Sequence, residues 1–177
     1  RGHIHRQADG TCSALRGRRD EGSVSAQLDN LPRYRSMTPG DLDTVMAIEN
    51  EVYPHPWTRG NFCDSLAAGY HCRIMELSGE VVGYSVVSVG ADEAHLLNLS
   101  ISAQWQRRGL GREMLRFMIG LAREFFAQKI YLEVRPSNLA GRRLYASAGF
   151  IEVATRRDYY PGQGGREDAV IMELELK

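Results

Sequence analysis

Cysteine is scarce in this chain, and no apolar stretch is long. Only Cys12, Cys63 and Cys72 occur, an odd number without C-x-x-C spacing, which argues against a disulfide framework and against a structural zinc site. A reducing, cytoplasmic setting is the expectation that follows. No run approaches the roughly 20 apolar residues that would span a bilayer, and residues 1–19 lack the apolar segment of a signal peptide, so no membrane partner is expected. Nor is there an excess of charge. Lys plus Arg and Asp plus Glu each number 22, for a net charge of +0, which excludes the broad basic footprint of a general nucleic-acid binder or a polybasic anchor. Partners must be recognised locally.

What is present is the composition of one globular domain: 177 residues, 43% hydrophobic and 25% charged, enough for a single core. Residues 1–31 are rich in Arg, Gly, Ser and Asp without periodicity, and they are expected to form a disordered tail ahead of a domain over 32–177. The tail carries an H-x-H pair, His3 and His5, with no further ligand nearby; no metal is expected.

From Pro32 the texture changes. Thr38-Pro39-Gly40-Asp41 reads as a helix start, followed by Leu42, Val45, Met46 and Ile48. The two prolines of Glu51–Trp57 make a rigid loop, after which Thr58 caps a short helix through Leu66. His71–Leu77, the Ser78-Gly79 turn and Val81–Val89 read as a hairpin, and Ala94–Ile101 as a third strand of an antiparallel meander. Leu110, Met114, Phe117, Met118, Leu121 and Phe125 form one stripe of a helix to about Phe126. Lys129–Val134 is a strand, Asn138 opens a helix to Ala148, and two closing strands flank a glycine-rich loop at 161–165. The order is mixed α and β.

Three features carry chemistry. In Arg107-Arg108-Gly109-Leu110-Gly111-Arg112 the glycines free the backbone, and the helix that follows offers unpaired N–H groups and a positive dipole end to an anion such as a pyrophosphate. The same stretch also reads as a tight turn with exposed arginines; neither a Walker A Lys-Ser/Thr pair nor a third dinucleotide glycine is present. Glu133 sits in a strand expected to be apolar on both faces, so it is either functional or paired with an arginine such as Arg135. Tyr145 reads as a packing aromatic or as a phenol at a site rim.

In combination, the motif Gln106-Arg107-Arg108-Gly109-Leu110-Gly111 and the blocks LNLSI, YLEVRPSNLAGRRLYASAGF and RRDYYPGQGGREDAVIMEL resemble the GCN5-related N-acetyltransferases (GNAT), and within them the RimI family of ribosomal-protein alanine N-acetyltransferases. The resemblance runs from about Tyr34 to the C-terminus. It implies an α/β GNAT fold: a single mixed, mostly antiparallel sheet with helices on both faces and a splayed gap for the cofactor. It implies acetyl-CoA as cosubstrate, no metal, and direct transfer in a ternary complex to a protein N-terminal α-amine, that of the alanine of small-subunit ribosomal protein eighteen. Leu99, Ser100 and Ile101 would face the pantetheine arm, Arg107, Arg108, Gly109, Leu110, Gly111 and Arg112 would wrap the pyrophosphate, and Asn138 would hydrogen-bond the cofactor. Glu133 would be the base and Tyr145 the acid that protonates the departing thiolate. Trp57, Tyr159 and Tyr160, in segments like those that line the family's peptide groove, would bind the acceptor. Glu51 and Asp168 are further acids, either solvated or able to attract an ammonium. Another amine as acceptor, or a non-catalytic CoA-binding module, are the rival readings.

Overall fold

The computed structural model describes residues 31–162 and 165–177. His3, His5, Cys12 and all of the expected tail but Leu31 lie outside them. The described residues form one seven-stranded sheet in the order β1-β2-β3-β4-β5-β7-β6. The strands are β1 Arg33–Ser36, β2 His71–Leu77, β3 Glu80–Gly90, β4 Glu93–Ile101, β5 Lys129–Val134, β6 Ile151–Gly162 and β7 Gly165–Glu175. Every neighbouring pair is antiparallel except β4 with β5, which is parallel. The parallel pair needs a crossover, and helix α3 supplies it.

The four α-helices are α1 Leu42–Val52, α2 Arg59–Ala67, α3 Leu110–Glu124 and α4 Leu139–Ser147. Alternation along β2 and β3 divides the core in two. Cys72, Ile74, Tyr84 and Val86 join Leu42, Val45 and Ile48 of α1 and Phe62 of α2 in one cluster. Met75, Val87 and the β4–β5 residues Leu96, Ile130 and Leu132 join Met114, Leu115 and Met118 of α3 in the other. Helices thus pack on both sides of the sheet, as the resemblance implied.

One element was not foreseen, and two expectations are corrected. A short edge strand, β1, precedes α1, fastened by Arg35, which reaches Glu76 of β2 at 2.6 Å and Asp41 at 2.7 Å. Phe125 is not on the buried stripe: it lies past the end of α3 and is 51% exposed. Strand β5 is covered on one face only; Ile130, Leu132 and Val134 are buried under α3, whereas Lys129, Tyr131 and Glu133 on the other face are part-exposed. An uncovered sheet face therefore lies next to Glu133.

Candidate active site

Strands β4 and β5 pair only from Glu93↔Lys129 to Leu96↔Leu132. The reason lies one strand over. Val86 of β3 pairs with Asn98 and Val87 with Leu96, so Leu97 is an extra residue, a β-bulge that bends β4. Beyond it β5 continues with β7 while β4 continues with β3, and the sheet opens between Leu99–Ile101 and Glu133–Val134. Two carbonyls on this part of β4 accept from side chains: Leu99 from the Tyr53 hydroxyl at 3.0 Å and Ile101 from Gln106 Nε2 at 2.9 Å. Leu99, Ser100 and Ile101 are buried, and the Ser100 hydroxyl has the Tyr53 phenol as a hydrogen-bonding neighbour. Past Leu96 the edge of β4 that faces β5 has no strand partner, and unpaired backbone groups of that kind are what a polar ligand completes.

The gap leads to the start of α3. Gly109 sits at φ +84 as its N-cap, a left-handed conformation that glycine adopts without strain. Nothing lies within 4 Å of where its Cβ would be. The first N–H groups of α3 lie at this turn, which Arg107, Arg108 and Arg112 flank in sequence; Arg108 stacks on Trp105 at 4.8 Å. The same end of the gap is bordered by α4, whose N-cap Asn138 accepts from the Gly141 N–H at 2.9 Å through its carboxamide oxygen, leaving the amide nitrogen for a further partner.

Across the gap stands Glu133, with Tyr159 and Tyr160 of β6 near it. Glu133 pairs with Arg156 of β6 at 2.5 Å, not with Arg135, which instead reaches Glu167 at 3.2 Å and lies over the Tyr160 ring at 4.3 Å. Arg156 lies over Tyr159 at 4.7 Å, and hydrogen bonding to the Glu133 carboxylate, followed by burial, raises the pKa of the Tyr159 phenol. Burial pushes the Tyr160 phenol up to about 12, with Glu133, Tyr159 and Tyr53 adding to the effect. Burial likewise raises the Tyr145 phenol, assisted by Tyr53 and Tyr160. Tyr145 therefore carries its proton at neutral pH, and Tyr160 lies within electrostatic reach of both Glu133 and Tyr145.

Strand β6 aims these groups by a second bulge. Arg156 pairs with Ala169 and Tyr160 with Glu167, so β6 spends two more residues than β7 over this stretch. Asp158 adopts φ +51 within it; its N–H donates to Asp168 at 2.9 Å, and Arg166 donates to its carbonyl and to that of Tyr159. Asp168 is thus a brace for the bulge, and Glu51 accepts from the Ala103 N–H at 3.2 Å. Trp57 packs its ring against Phe62 at 5.3 Å. Arg156 and Glu49 were not singled out from the sequence, and Tyr53 entered only as the first residue of the Tyr53–Thr58 segment that the resemblance placed along the acceptor groove.

The Acetyltransferase (GNAT) family model matches residues 42–150. The chain belongs to the GNAT acetyltransferase family. This GNAT chain is 36% identical over 141 residues to the [ribosomal protein bS18]-alanine N-acetyltransferase of Escherichia coli K12, covering 80% of the chain and 95% of that protein. It is 35% identical over 138 residues to the protein of the same name from Haemophilus influenzae, covering 77% and 93%. The crystal structure of the ribosomal-protein-S18-alanine N-acetyltransferase from Escherichia coli superimposes with a TM-score of 0.78 at 34% identity, covering 83% and 95%. As a GNAT protein the chain is an acetyl-CoA-dependent N-acetyltransferase. Among the described residues no group of His, Cys, Asp or Glu is arranged to hold a metal, and no helix is long and apolar enough to cross a membrane.

Proposed function

We propose that residues 32–177 form an enzyme that acetylates the N-terminal α-amine of a polypeptide, and that its acceptor is the N-terminal alanine of ribosomal protein S18, the activity named for its Escherichia coli relative. Its action is placed in the cytoplasm, where that acceptor is made. The observation that carries the reading is that the carboxylate of Glu133 and the protonated phenol of Tyr145 are both within electrostatic reach of Tyr160, Glu133 standing where β4 and β5 have ceased to pair.

Bound acetyl-CoA supplies the activated acyl group. Leu99–Ile101 hold its pantetheine arm along the free edge of β4, whose unpaired backbone groups gain partners. Arg107, Arg108 and Arg112 with the α3 N–H groups and Gly109, Leu110 and Gly111 cradle its pyrophosphate, and Asn138 contributes its free amide nitrogen. Glu133 takes the proton from the acceptor amine, whose reference pKa of about 7.7–8.0 keeps much of it protonated at neutral pH. Arg156 occupies Glu133 until then, and because an exposed ion pair is worth roughly 0–1 kcal/mol the incoming ammonium displaces it at little cost. Tyr145 donates its proton to the departing thiolate. Trp57, Tyr159 and Tyr160 wall the small first side chain.

Asp168→Ala removes the acceptor for the Asp158 N–H and loosens the β6 bulge. The expected result is a rise of about three- to tenfold in the acceptor KM, with Asp168→Asn, which keeps an acceptor oxygen, close to wild type in steady-state assays.

The function itself is tested by thiol release from acetyl-CoA with a peptide bearing a free N-terminal alanine, beside the same peptide with that amine blocked and an internal lysine free. Turnover confined to the first peptide is expected. Turnover on the lysine would point to another amine, and binding of acetyl-CoA with turnover on neither would point to a non-catalytic module.

A further inference from the structure

A carboxylate lies at the heart of the α1 side of the molecule, with no cation beside it among the described residues. Glu49 is 1% exposed. Among the described residues its partners are neutral donors: the Trp57 N–H at 2.7 Å, the Tyr84 hydroxyl, and Asn98 Nδ2 at 3.3 and 3.4 Å. Burial raises its pKa, while the bonds from Trp57 and Asn98 oppose that rise. Burying an acid without a counter-ion is costly, and a leucine at this position of α1 would fill the same stripe.

What the acid joins is informative. Trp57 closes the proline-rich loop between α1 and α2; Tyr84 belongs to β3; Asn98 follows the Leu97 bulge and immediately precedes the free edge of β4. Four residues after Glu49, just past the end of α1, Tyr53 grips the Leu99 carbonyl at 3.0 Å. Glu49 and Tyr53 therefore tie the loop that would wall the acceptor to the strand that would hold the thioester arm. We infer that Glu49 is a positioning residue that fixes the Tyr53–Trp57 loop against the bulged end of β4, so that acceptor amine and acetyl group meet in register. The inference rests on the acceptor reading above for its kinetic consequence, but its structural core does not.

The test is Glu49→Gln, which keeps the volume and loses one acceptor oxygen. Hydrogen exchange is expected to show lost protection of the Trp57 amide, with the β2–β3 amides still protected. Direct titration should give acetyl-CoA affinity within about twofold of wild type, while the acceptor KM rises about tenfold, the scale of one charge-assisted hydrogen bond. Full protection of Trp57 in the folded variant would overturn the inference whatever the acceptor is, and so would an unchanged acceptor KM where the wild type turns the peptide over. A merely structural role predicts a lower Tm with acceptor KM unmoved. If Glu49→Gln does not fold, Tyr84→Phe removes one donor without loss of packing and is expected to raise the acceptor KM severalfold, no rise being the contrary result. Absence of wild-type turnover counts against the acceptor reading alone, with the exchange experiment still deciding the role of Glu49.

Discussion

Glu133→Gln is expected to lower kcat/KM for a peptide acceptor by about 100- to 1,000-fold at neutral pH, the range for loss of a positioned general base, while acetyl-CoA affinity measured by titration stays near wild type. The split follows from where Glu133 sits. It is on the β5 side of the gap, whereas the groups assigned to the cofactor lie on β4, the turn before α3 and the N-cap of α4. The amide retains the shape of the carboxylate and loses its proton affinity. Raising the pH should recover part of the rate, because a larger share of the α-amine is then already neutral; an unchanged rate at neutral pH would remove Glu133 from the mechanism.

Gly83→Ala is expected to have the second largest effect, on stability and cofactor binding together. Gly83 pairs with Ile101 across β3 and β4. A Cβ there would lie 2.6 Å from the Ser100 carbonyl oxygen and 2.6 Å from Ile101 Cδ1. The Ile101 side chain can turn away, but the Ser100 carbonyl is backbone and must move with its strand. Overpacking of this kind costs about 1–3 kcal/mol, readable as a lower midpoint in urea. Because the displaced segment is the one assigned to the pantetheine arm, the acetyl-CoA KM should rise at least about tenfold in the variant that remains folded. A stable Gly83→Ala protein with unaltered acetyl-CoA KM would separate β4 from cofactor binding.

Where local rules act alone, the chain was readable. The Ser78-Gly79 turn has φ of +52 and +80 and joins β2 to β3 as its flanking alternation predicts, and Thr58 caps α2 with the side chain accepting from the Asn61 N–H. The resemblance supplied the gap and its roles. What was missed depends on tertiary placement. Four residues of β1 are too few for a pattern, and its pairing is fixed by Arg35 bridging to Glu76 and Asp41. Arg135 is closer to Glu133 in sequence, yet Arg156 reaches it, because the β6 bulge depends on an aspartate at positive φ and on a brace ten residues away. Glu49 did leave a trace: Leu42, Val45, Glu49 and Val52 fall on one helical stripe, and an acid at such a position marks a buried carboxylate.

The central claim is that this enzyme acetylates a protein N-terminus, and the most direct test uses the protein acceptor. Purified, unacetylated ribosomal protein S18 incubated with the enzyme and acetyl-CoA, then mapped by mass spectrometry, is expected to carry one acetyl group on the amine of its N-terminal alanine. Acetyl groups on lysine side chains, or an unmodified protein in the presence of enzyme that binds acetyl-CoA, would contradict the account.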